Sequence, residues 1–115
     1  GLVSYFGLPE RRTLFAAIAS ALGRGGTGSF VVDLHTAVAQ AEVGGATKVL
    51  RGAIRVLTRR RHALDPFVDA ADYERALVEG GFAGCRALDP RDWFRARPAL
   101  IGLHSPAQIV HAWIE

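Results

Sequence analysis

The residues with chemical potential are few and scattered. Asp33-Leu34-His35 closes a short apolar run, SFVVDL, and a histidine there can serve as a general base near neutral pH. The alternative is structural: Asp33 orients the turn that follows and His35 is solvated. Ser4 sits in GLVSYFG, which lacks the glycine two residues earlier that a nucleophile elbow needs, so hydrolase chemistry is a poor fit. Cys85, the single cysteine, has no histidine near it in sequence and suits a small buried apolar role better than a nucleophilic one. It cannot form an internal disulfide, and a reducing cytoplasm is the expected location. His35, His62, His104 and His111 show no paired spacing around a glutamate, so no metal site is expected.

Two further features carry weaker signals. Gly23, Gly26 and Gly28 superficially match a dinucleotide loop. That loop works only between a strand and a helix, where helix amides meet a pyrophosphate. Here the order is reversed, and a helix-to-strand turn is the better reading. Lys48, Arg51, Arg55 and Arg59 form a basic stripe that could meet a phosphate chain or an acidic partner. No aromatic residues interleave with it to stack on bases, so nucleic-acid binding is disfavoured against a solvated helix face.

These residues must be positioned by a small frame. The chain has 115 residues, half of them apolar, which suits one domain with a packed core. The net charge of +3 comes from 14 cations, all arginine except Lys48, against 11 carboxylates. Arginine-rich coding explains that balance without a polyanionic partner. No apolar run is long enough to span a membrane. There is no methionine, and the chain opens on Gly1 in what reads as the middle of an element, so an excerpt of a longer chain is expected.

The apolar pattern gives the elements in order. GLVSYF reads as the end of a buried strand entering a loop. Pro9 to Leu22 reads as a helix with Leu14, Phe15, Ile18 and Leu22 on one face, stopped by a left-handed glycine at Gly23. Ser29 to Leu34 reads as a strand covered on both faces, of the kind found in parallel sheets. A short helix over 36–42 precedes a longer one whose apolar stripe is Ala46, Val49, Leu50, Ala53, Ile54 and Leu57. Asp69 caps the next helix, which presents Tyr73, Ala76 and Leu77 inward and ends at Gly80-Gly81 with Phe82 folding back. Cys85 to Leu88 is a short strand, 91–105 is irregular, and Gln108 to Glu115 is a last strand. Alternating strands and helices imply a mostly parallel sheet, with the last two strands free to pair antiparallel. The exposed edge of SFVVDL invites pairing with a second copy, hence a possible homodimer.

GLVSYF, the helix after it, the glycine turn and SFVVDL together resemble the region after the fourth strand of class I S-adenosylmethionine-dependent methyltransferases. Within them the leucine carboxyl methyltransferase-like group is most similar. That group carries a Glu-Gly-Leu-x-x-Tyr-type segment, which Gly1, Leu2 and Tyr5 match. ADYERALVEGGFAGCRALDP resembles the helix, Gly-Phe turn and sixth strand, and HSPAQIVHAWIE the closing seventh strand. GRGGTGS departs from the usual Pro-Gly-Gly turn, with Arg24 in the proline's place and added length.

The resemblance implies an α/β, partial Rossmann-like methyltransferase fold. Its mixed sheet would have about three strands, flanking helices and an antiparallel last strand. It implies S-adenosylmethionine as cofactor and a small-molecule methyl acceptor or a carboxylate as substrate. The glycine-rich cofactor loop would lie outside this chain, leaving a single C-terminal, substrate-side portion that is inactive alone. Ser4 and Tyr5 would border cofactor and substrate, and Asp33 and His35 would sit at the mouth of the fifth strand, with His35 the weak catalytic candidate. A non-catalytic α/β interaction domain, docking through a sheet edge and the Trp93-Phe94 loop, is the alternative. A basic nucleic-acid-binding domain is the second.

Overall fold

The computed structural model describes residues 2–41, 45–59, 65–88, 90–100 and 107–115. His62 and His104, and the turn residue Asp89, lie outside the described residues. A 3-10 turn, Leu2–Tyr5, opens the chain where a strand end was expected. Helix α1 follows at Leu8–Gly23, with Pro9 in its first turn. The Gly7 amide donates to the Glu10 carboxylate at 2.9 Å and so has a partner at the helix entry. Gly23 ends the helix but is not left-handed. The positive φ of 92° falls at Gly26, inside the turn that leads to strand β1, Gly28–His35.

Helix α2 is Ala37–Ala41, entered by Thr36, whose hydroxyl accepts from the Ala39 amide at 3.2 Å. Helix α3 is Gly45–Thr58. Helix α4, Ala70–Glu79, is capped as its sequence implies: the Asp69 carboxylate accepts from the Asp72 amide at 3.0 Å. Its exit at Gly81 does adopt a left-handed φ of 108°. The Phe82 amide then donates back to the Leu77 carbonyl at 3.1 Å and its ring is buried. Strand β2 is Gly84–Leu88. Helix α5, Pro90–Arg95, and a 3-10 turn at Pro98–Leu100 replace part of the expected irregular stretch. Strand β3 is Ala107–Ile114.

The sheet order is β1-β3-β2, and both pairings are antiparallel. The α/β class stands, and the antiparallel last strand is present. The expectation of a mostly parallel or mixed sheet is corrected. Strands β1 and β2 do run the same way, but β3 lies between them, so they never pair with each other. Among the described residues, the single parallel contact is the isolated bridge of Thr36 with Phe67.

The expectation that β1 is covered on both faces is also corrected. Phe30, Val32 and Leu34 point to the helices, and Val32 and Leu34 are buried. Ser29, Val31, Asp33 and His35 alternate onto the other face, where Val31 is 64 % exposed. An unalternating apolar sequence therefore forms a strand with one covered face, because α1 and α4 occupy the same side.

The core lies between that sheet face and the two helices. Phe15 is fully buried, stacked on Phe67 at 6.4 Å between centroids and edge-on to Phe30 at 6.2 Å. Phe30 stacks on Phe82, and Phe67 meets Tyr73 edge-on. Offset and edge-on rings add to the area they bury. At Gly84 a side chain has no room, since a Cβ would stand 2.8 Å from the Trp113 ring. Cys85 packs against this core and is half-buried, and burial pushes its thiol up from its ordinary value.

Tyr73 is the polar member of the core. Its hydroxyl donates to the Gln108 side-chain oxygen at 2.9 Å. Burial, with Cys85 and Glu74 adding to it, pushes the phenol up to about 12. Unfolded chains lose this proton near pH ~10, while the native state keeps it, so stability falls as pH rises from ~10 to about 12. Tyr73→Phe should cost about 1 kcal/mol at neutral pH, since it strands the Gln108 acceptor. Urea titrations of both proteins should also show a shallower alkaline loss for the variant.

Candidate functional site

The candidate site is the C-terminal end of β1, and one buried arginine organises it. Arg11 lies on α1 and is only 2 % exposed. Its Nε donates to the carbonyls of Val3 at 3.1 Å and Phe6 at 2.8 Å, and its Nη2 to that of Ser4 at 3.0 Å. Its Nη1 donates to the Asp65 carbonyl. The guanidinium also stands over the Phe67 ring, 5.7 Å from the centroid. Burial lowers its pKa from the ordinary value, opposed by Asp65, and an arginine stays charged under such a shift.

The carbonyls of the 3-10 turn have few partners within so short an element, and a planar fork of five donors meets several at once. Arg11 thereby pins Leu2–Tyr5 to α1 and to the segment that follows Asp65. That segment is fixed to β1: the Phe67 amide donates to the His35 carbonyl at 2.9 Å, and the Ala37 amide to the Phe67 carbonyl at 2.7 Å. This arrangement sets the Leu2–Tyr5 turn against β1 and leaves His35 within electrostatic reach of Arg11.

The four sequence-derived candidates differ in accessibility. Ser4 is buried and offers its carbonyl to Arg11, whereas Tyr5 is 41 % exposed. Asp33 and His35 are half-buried and share the open face of the sheet. Burial pushes the His35 imidazole below its ordinary value. Asp33 opposes this, and Arg11 and Arg51 reinforce it. His35 is therefore neutral at pH 7 and able to accept a proton. Buried polar atoms without partners among the described residues are the Gln40 side-chain oxygen and the Arg51 Nε.

Arg11 and Phe67 were missed as positioning residues. A signal existed: Arg11 stands four residues before Phe15, on the same stripe as Ile18 and Leu22, where a charge must find internal partners. Phe67 had no such signal.

The basic stripe does not form an open platform. Arg51 and Arg55 are half-buried, and Arg55 pairs with the Asp65 carboxylate. His111 lies on β3 within 3.0 Å of the Ser29 hydroxyl, with its ring beside Trp113. Among the described residues, no group of three or more His, Cys, Asp and Glu is placed to hold a metal, and no helix is long and apolar enough to cross a membrane.

Comparison of the chain with models of known families, with curated proteins and with solved structures finds no match.

Two predictions follow from this geometry. Arg11→Lys keeps the charge but loses the fork, and should destabilise the chain by about 3 kcal/mol in chemical denaturation, since a lysine cannot serve four diverging carbonyls. Full stability in that variant would remove Arg11 from its central role. For His35, the unfolded state takes up the proton first as pH falls. Its stabilising effect is complete above ~6.5 and is lost on going down toward its lower native value. His35→Gln should flatten the stability profile in that acidic window, measured as the difference between the two proteins' urea midpoints.

Proposed function

We propose that this chain is the substrate-side portion of an S-adenosylmethionine-dependent O-methyltransferase acting on a small molecule or a carboxylate. The observation that carries the reading is the convergence of the Leu2–Tyr5 turn with His35 at the C-terminal end of β1. Parallel α/β sheets receive their ligands outside the carboxyl ends of their strands, and β1 and β2, which run the same way on either side of β3, both end there. The antiparallel last strand agrees with the resemblance drawn from HSPAQIVHAWIE.

When bound, S-adenosylmethionine supplies a methyl group on a sulfonium centre, ready for transfer to an oxygen nucleophile. The chain's own residues fit only one side of such a site. Its glycine-rich turn follows α1 and opens β1, the wrong order for holding a cofactor through helix amides. What the chain offers is orientation, the main requirement of a methyl transfer. The caged turn holds Tyr5 at the surface, where it can bound the acceptor. A hydroxyl acceptor must also lose a proton, and neutral His35 can hold it on an imidazole nitrogen. A carboxylate acceptor needs no base.

Calorimetric titration of S-adenosylmethionine tests the reading, using the 115-residue chain and the chain extended upstream by its own coding sequence. Binding only to the extended protein is expected. In that protein, His35→Gln should lower kcat for a hydroxyl acceptor about 100-fold, the lower range for a general base, and leave cofactor affinity unchanged. No cofactor binding by either protein would overturn the proposal.

A further inference from the structure

Helix α3 presents its apolar side to solvent. Val49, Leu50, Val56 and Leu57 are 75, 61, 77 and 82 % exposed, and Ala53 between them is exposed too. At 100° per residue these five side chains span one continuous arc of the helix. Lys48 and Arg59 are exposed on one flank of the arc, Arg59 just past the helix end, while Arg51, Ile54 and Arg55 turn toward the body of the protein. From Gly45 to Arg61 the sequence carries one lysine, five arginines and no carboxylate. Apolar patches of this continuity on a soluble surface mark contact with a protein or a membrane.

The charge and side-chain types choose between occupants. A second copy pairing arc to arc would bring cations together with no carboxylate in the helix to answer them. A folded protein partner is ordinarily gripped by aromatic or arginine anchors seated in pockets. This arc is wholly aliphatic, and two of its helix's arginines face inward. A fluid acyl layer under anionic headgroups meets both demands, receiving branched aliphatic side chains without fixed pockets while Lys48 and Arg59 reach the phosphates.

We propose that α3 is a membrane-surface helix that lies on anionic phospholipid with Val49, Leu50, Val56 and Leu57 immersed. It lies on the surface and does not span, and the proposal is independent of the methyltransferase reading.

Co-sedimentation of the 115-residue chain with phosphatidylcholine vesicles, with and without phosphatidylglycerol, tests it. Partition into the anionic vesicles is expected, weakened by added salt. Leu57→Gln and Val49→Gln should each reduce it about tenfold, as loss of one immersed aliphatic group implies. Lys48→Glu with Arg59→Glu should abolish the preference for anionic lipid. All four positions are exposed, and circular dichroism checks that each variant keeps its fold. Absence of binding to anionic vesicles overturns the proposal, as does equal binding to both vesicle types. A dimer in sedimentation equilibrium that Leu57→Gln dissolves, without vesicle binding, assigns the arc to a second copy and also overturns it.

Discussion

The guanidinium of Arg11 is the constraint on which the arrangement of this chain depends. A full charge removed from water is costly unless its donors are met, and here they are met by backbone carbonyls of residues 3, 4, 6 and 65. The same carbonyls belong to short segments that offer few partners of their own, although Val3 also accepts from the Phe6 amide. Each side thus relieves a cost that the other would carry alone. A buried polar network of this kind specifies one arrangement where an apolar plug would permit several. The Leu2–Tyr5 turn belongs to no strand, and this network, with Val3 inserted into the core, helps hold it in place.

From that cage the order extends in two directions. Toward the sheet it passes through Phe67, whose ring lies under Arg11 and against Phe15, and whose amide and carbonyl bind both sides of the β1 exit. Toward α3 it passes through Asp65, which accepts Arg11 on its carbonyl and pairs with Arg55 through its carboxylate. Residues 65 to 67 therefore join the candidate site to the outer helix. A disturbance of the Arg55–Asp65 pair has a direct route to the carbonyls around Ser4.

Local signals were legible where a single residue type decides the outcome. Asp69 at a helix entry, Gly81 at a helix exit and the Tyr73, Ala76, Leu77 stripe behave as their chemistry demands. Tertiary placement was less legible. SFVVDL carries Phe30, Val31, Val32 and Leu34 without strict alternation, and apolarity alone does not say how many layers cover a strand. The antiparallel insertion of β3 between β1 and β2 depends on register over pairs such as Val32 with Val110, which no local pattern encodes. At the site, His35 and Asp33 were visible as a polar end to an apolar run. The arginine that organises their surroundings stood out only by its place on the apolar stripe of α1; its partners were not legible, because they are backbone carbonyls, which every sequence possesses.

The orientation of α3 inverts the usual relation between stripe and core. A partly exposed ion pair such as Arg55 with Asp65 contributes at most about 1 kcal/mol. Each large aliphatic side chain left in water forgoes roughly 1.5–3 kcal/mol relative to burial. With four such residues on the arc, the ion pair cannot by itself hold the apolar side outward. The Asp65 link favours an inward cation side without sufficing for it, and the outward stripe becomes favourable only when something covers it. An anionic lipid surface supplies the missing burial and answers Lys48 and Arg59 at the same time. The same coverage would reinforce, through Asp65, the cage that sets the geometry at the end of β1.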